Sequence, residues 1–137
     1  MGRVFFGTRK NVIDVAAAKT VLPSDSGSLM MINQASAYAI TLPAPANAQR
    51  GWNCEFIVGT AAANAVTITC VGTDLFHGFD QNAETGVEVA TEATGIDVIT
   101  IIAGATKGDR ISIECDGVHY YYNAMAADAA HITAAAE

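Results

Sequence analysis

"GDRISIECDGVHYYYNA", residues Gly108 to Ala124, alternates apolar and polar side chains on both sides of an Asp-Gly pair. Asp-Gly between alternating runs signals a hairpin, because a type I′ turn needs positive φ at both central positions. With Asp116 and Gly117 as the turn, the expected apolar pairs are Cys115 with Val118, Ile113 with Tyr120 and Ile111 with Tyr122. The other face pairs Glu114 with His119, Ser112 with Tyr121 and Arg110 with Asn123. One apolar and one polar face describe a half-buried hairpin. Of the three consecutive tyrosines, only Tyr121 leaves the core face, since successive strand side chains alternate.

Composition extends this reading to the whole chain. The 137 residues suit one domain. Of the apolar residues 26 are Ala; Val and Ile together number 23 against only 4 Leu. Branching at Cβ crowds a helix and is tolerated on a pleated surface, so this balance favours strands. Strand candidates are Thr20–Leu22, Leu29–Asn33, Ala39–Leu42, Trp52–Val58, Val66–Cys70, Leu75–Phe79, Val87–Ala90, Val98–Ala103, Arg110–Cys115 and Val118–Met125. Turn clusters such as "PSDSG", "PAPANAQRG" and "GATKGD" separate them. The expected fold is all-β: a single antiparallel sandwich or barrel, jelly-roll or tulip-like, with no fixed-period repeat. Val98–Ala103, "VITIIA", is apolar on both faces and reads as a central strand or one under an interface.

Three segments follow. Residues 1–19 form a basic-aromatic arm, 20–125 the β-domain and 126–137 an Ala-rich tail with Ile132 as a docking anchor. The stretch between Asp80 and Asp97 holds five acids and no base, and reads as a solvated excursion.

Charge and motifs narrow the function classes. A formal net charge of −7 disfavours a general nucleic-acid binder, which needs a basic surface to release counterions. No run of about 18 apolar residues exists to span a membrane. The P-loop, GxGxxG, GxSxG, HExxH and calcium-loop patterns are absent, and His77, His119 and His131 stand apart in sequence. In "CDGVH" the register puts Cys115 and His119 on opposite faces, which contradicts a catalytic pair. No enzymatic activity, cofactor or metal is expected. Cys54, Cys70 and Cys115 are in phase with apolar strand residues and read as buried, reduced thiols.

Two stretches carry a resemblance. "AITLPAPANAQRGWNCEFIVG" (Ala39–Gly59) resembles a strand–turn–strand of the small capsid decoration or head-fibre proteins of tailed bacteriophages. "KGDRISIECDGVHYYYNAMAADAAHITAA" (Lys107–Ala135) resembles the ending of the same proteins, departing at His119 and Tyr120, where Asn-Trp is frequent. The resemblance implies a virion protein, made in the host cytoplasm, that coats the outside of the head and reinforces major capsid protein contacts, often as a homotrimer. The alternative is a tail-fibre or host-recognition domain that binds surface glycans.

The arm completes the reading. "MGRVFFGTRK" carries Arg3, Arg9 and Lys10 without an acid, whereas the other 127 residues hold four bases and 14 acids. Val4, Phe5 and Phe6 add apolar area, so the segment reads as a docking element that orders on its partner. Otherwise residues 4–6 form the first strand. The expected partner-binding set is therefore Arg3, Val4, Phe5, Phe6, Arg9, Lys10, Tyr121 and Ile132.

Overall fold

Short β-branched runs separated by Gly, Pro and Asn clusters leave the backbone few ways to satisfy its hydrogen bonds except lateral strand pairing. The computed structural model describes residues 9–72, 75–83, 88–90 and 95–135. They form twelve strands: β1 Val12–Val15, β2 Lys19–Thr20, β3 Ser28–Asn33, β4 Tyr38–Leu42, β5 Asn53–Thr60, β6 Val66–Cys70, β7 Phe76–Asn82, β8 Glu88–Ala90, β9 Val98–Ile101, β10 Arg110–Cys115, β11 Tyr120–Ala126 and β12 Ile132–Ala135. One short helix, α1 (Pro45–Ala48), joins β4 to β5. No helix among the described residues is long and apolar enough to cross a membrane.

The strands make two sheets, one ordered β1-β3-β5-β10-β11-β7-β8 and the other β12-β9-β6-β4-β2. Neither sheet closes on itself among the described residues. The all-β sandwich is as expected. Its ladders are not: β1/β3, β3/β5, β2/β4, β4/β6 and β7/β11 are parallel, which corrects the antiparallel, jelly-roll-like expectation. The reason is a winding path. From β1 to β6 the chain alternates between sheets, so each return lays a strand parallel to its predecessor, as in a flattened solenoid. Val12 stands opposite Leu29, Lys19 opposite Ile40, Met30 opposite Phe56 and Tyr38 opposite Val66. Successive coils thus advance by 17, 21, 26 and 28 residues, which is why no fixed repeat is visible in sequence.

The second half closes the sandwich with antiparallel pairs, β5/β10, β10/β11, β6/β9 and β9/β12. β9 lies between β6 and β12, the interior position expected of "VITIIA". The core between the sheets combines Met30, Ile32, Phe56, Ile111, Ile113, Tyr120 and Tyr122 from the larger sheet with Ile40, Leu42, Ile68, Ile99, Ile101 and Ile132 from the smaller. β1 and β12, each at one edge of its sheet, lie in the stretches read as arm and tail.

The hairpin forms with a different register. Cys115 pairs with Tyr120, Ile113 with Tyr122 and Ile111 with Ala124, so Asp116 to His119 make a four-residue loop. Asp116 Oδ1 accepts hydrogen bonds from the Val118 and His119 backbone N–H groups, both at 2.7 Å, and Gly117 takes φ 93°. The aspartate side chain thereby supplies an acceptor that a two-residue turn would take from the opposite strand. A shift of two residues preserves every inward and outward assignment along both strands.

The opposite end of β10 is held by a buried carboxylate. Asp109 is 4% exposed; its Oδ1 accepts from Ala127 N–H (2.8 Å) and its Oδ2 from Thr106 N–H (2.8 Å). His131 Nδ1 lies 2.8 Å from the same Oδ2. Two connections, β9–β10 and β11–β12, thus converge on one side chain.

Candidate functional site

The outward face of the larger sheet carries the surface features worth reading as a site. Cross-strand register sets two rows. Phe79, Asn123, Ser112, Glu55 and Leu29 stand side by side across β7, β11, β10, β5 and β3. His77, Tyr121, Glu114 and Asn53 form the adjacent row. Tyr121 (47%), Phe79 (39%) and Met125 (53%) are exposed apolar side chains of this face.

Two depressions mark the surface. One, of about 340 Å³, is lined by Phe79, Ser112, Glu114, Tyr121, Tyr122 and Asn123. The other, of about 130 Å³, includes Lys10, Asn53, Glu55, Ser112 and Glu114. Sharing Ser112 and Glu114, they make one shallow trough running across the strands from Phe79 to Lys10. Neighbouring strands are about 4.8 Å apart, so β7 to β3 spans roughly 19 Å.

The trough is preorganised at its aromatic end. Tyr121 Oη donates to Asp116 Oδ2 at 3.0 Å, and its ring lies 6.0 Å from that of His77 at 34°. His77 also meets His119 edge-on at 4.9 Å. Bonds from the His119 and Val118 N–H groups and from Tyr121 hold the Asp116 carboxyl down at about 2. The same Tyr121–Asp116 bond pushes the Tyr121 phenol up. At the other end, Lys10 and Arg110 (3.5 Å) both pair with Glu55, leaving that carboxylate compensated.

Of the residues expected to bind a partner, the four that are described, Arg9, Lys10, Tyr121 and Ile132, do not form one cluster. Arg3, Val4, Phe5 and Phe6 lie outside the described residues. Arg9 and Lys10 are exposed, and Lys10 reaches onto the trough through Glu55. Tyr121 is on the trough. Ile132 is 2% exposed and packs in the core of its own domain, where strand pairing to β9 puts it inward; its side chain is no surface anchor. Sequence reading passed over Phe79, Ser112, Asn123 and Glu114 as site residues. The β10–β11 hairpin brings Ser112, Glu114 and Asn123 together, and Phe79 joins them through the parallel pairing of β7 with β11, which leaves no local signal.

The cysteines are free, as expected, with Cys54 and Cys115 buried and Cys70 partly so. Burial pushes all three thiols up, Cys70 to about 11 with help from Asp97 and Cys115. Among the described residues no group of three or more His, Cys, Asp or Glu side chains could hold a metal ion. Neither a family model, a curated protein nor a solved structure matches the chain.

Proposed function

We propose that this is a capsid decoration protein of a tailed bacteriophage, which binds the outer surface of the head and reinforces contacts between major capsid proteins. One observation supports the reading above others: the two stretches that carry the resemblance are a single packed unit. β5, from the first, pairs with β10, from the second. Tyr120 Oη donates to the Pro43 carbonyl at 2.6 Å, and its ring meets Trp52 edge-on at 5.7 Å. Gly51 N–H donates to the Cys115 carbonyl and Cys115 N–H to the Trp52 carbonyl, each at 2.8 Å. Position 120, where the resemblance departs, is a core position that an aromatic ring fills.

In this reading Met1–Lys10 docks on the major capsid protein, or on a neighbouring copy within a homotrimer. Each buried Phe contributes roughly 1.5–3 kcal/mol, against about 0–1 kcal/mol for an exposed ion pair, so Phe5 and Phe6 dominate affinity. Co-sedimentation with tailed-phage heads assembled without the protein tests this. Saturable, stoichiometric binding is expected, lost on deletion of residues 1–10 and nearly lost with Phe5→Ala plus Phe6→Ala. Absence of binding by the full chain would overturn the reading.

A further inference from the structure

No described residue of the arm lines the aromatic end of the trough, and the chemistry of that end is specific. Its aromatic end offers Phe79 on β7 and Tyr121 on β11, beside the polar side chains of Asn123 on β11 and Ser112 and Glu114 on β10. We propose that the trough binds a neutral oligosaccharide, with Tyr121 and Phe79 as stacking faces and Ser112, Glu114 and Asn123 as partners for sugar hydroxyls.

Three observations select this ligand. A sugar ring has an apolar C–H face and an edge of hydroxyls that both donate and accept. The trough pairs ring faces with one group that only accepts (Glu114) and two that do both (Ser112 and Asn123). Charge excludes the obvious competitors. Glu114 and the net charge of −7 repel phosphate-rich ligands, while the pairing of Glu55 with Lys10 and Arg110 removes much of the attraction for a cationic chain. Shape accounts for the length: an open trough of roughly 19 Å across five strands accommodates a linear chain of a few sugar units rather than one enclosed molecule. The Tyr121 ring is held by Asp116 and His77 before any ligand arrives, which lowers the ordering cost of binding.

Binding to the purified protein needs no phage head, so this inference stands or falls separately from the capsid reading. The test is titration calorimetry and saturation-transfer NMR of the intact chain with cellohexaose, maltohexaose, chitohexaose and a β-1,3-linked glucose hexamer. The synthetic peptide MGRVFFGTRK serves as the cationic competitor. Saturable binding of at least one sugar is expected. Its affinity should fall by at least about tenfold in both Tyr121→Ala and Phe79→Ala, with thermal melts confirming folding, and stay within about threefold in Tyr121→Phe. The inference is overturned if no sugar binds, or if sugar binding is unchanged in both alanine variants. It is equally overturned if the peptide occupies the trough in preference to every sugar and loses affinity in Glu114→Gln.

Discussion

The two ends of β10 solve one problem in opposite surroundings. Asp109, before the strand, and Asp116, after it, each receive two backbone N–H groups and one side-chain partner. Asp109 is buried and gathers Thr106, Ala127 and His131, which belong to the β9–β10 and β11–β12 connections. Asp116 is exposed and gathers Val118, His119 and Tyr121, all within five residues of itself. The bonds are alike; what they join is not. A carboxylate that ties distant segments out of water supports the whole sandwich, whereas one that ties its own loop in water shapes only the tip. The difference assigns stability to one end of the strand and surface presentation to the other.

Asp109→Ala is the most damaging change by this account. It removes the buried acceptor shared by two part-buried backbone N–H groups and His131, so about 2–4 kcal/mol of stability should be lost in chemical denaturation. A loss below about 1 kcal/mol would erase the distinction between the two ends. Gly117→Val comes next. It forces a β-branched residue to φ 93°, at an expected cost of about 1–3 kcal/mol. An unchanged melting temperature would mean that the loop relaxes freely.

Acid sharpens the comparison without mutation. The Asp116 carboxyl is held at about 2, below the unfolded value near 3.9, so its contribution is complete above pH 4 and fades as pH falls toward 2. An NMR titration should give a midpoint near 2 and, in the same range, a Tyr121 environment that changes with it. A midpoint near 4 would contradict the bonding drawn at the tip. The smallest effect concerns Cys115, one residue inward of Asp116 and buried. Its labelling by a thiol reagent should be slow in the native protein, as for Cys54, and rise several-fold in Asp116→Ala as the tip opens. Equal rates in both proteins would detach the tip from the core beside it.

These contrasts also mark what the sequence discloses. Alternation in "RISIEC" and "YYYNAMA" revealed β10 and β11 and their faces because side-chain direction is a local property of a strand. Register was two residues off because Asp116 closes the loop with its side chain, an option Asp-Gly does not announce. Asp109, preceded by Gly108, looked like an ordinary turn residue; its importance comes from Ala127 and His131, far along the chain. Parallel coils of unequal length gave no periodic signal, and β12 was hidden by alanine, a residue with no preference for strands until β9 pairs with it. Tyr121 was recognisable as outward-facing, but its place beside His77 and Phe79 required the β7–β11 pairing.

The proposal that this sandwich coats a phage head is open to cryo-electron microscopy of tailed-phage heads mixed with the protein. Added density for the sandwich is expected on the outer shell, arranged as trimers, with residues 1–10 against the capsid and the Phe79–Tyr121 end of the trough facing outward. A shell that remains bare at saturating protein would contradict it.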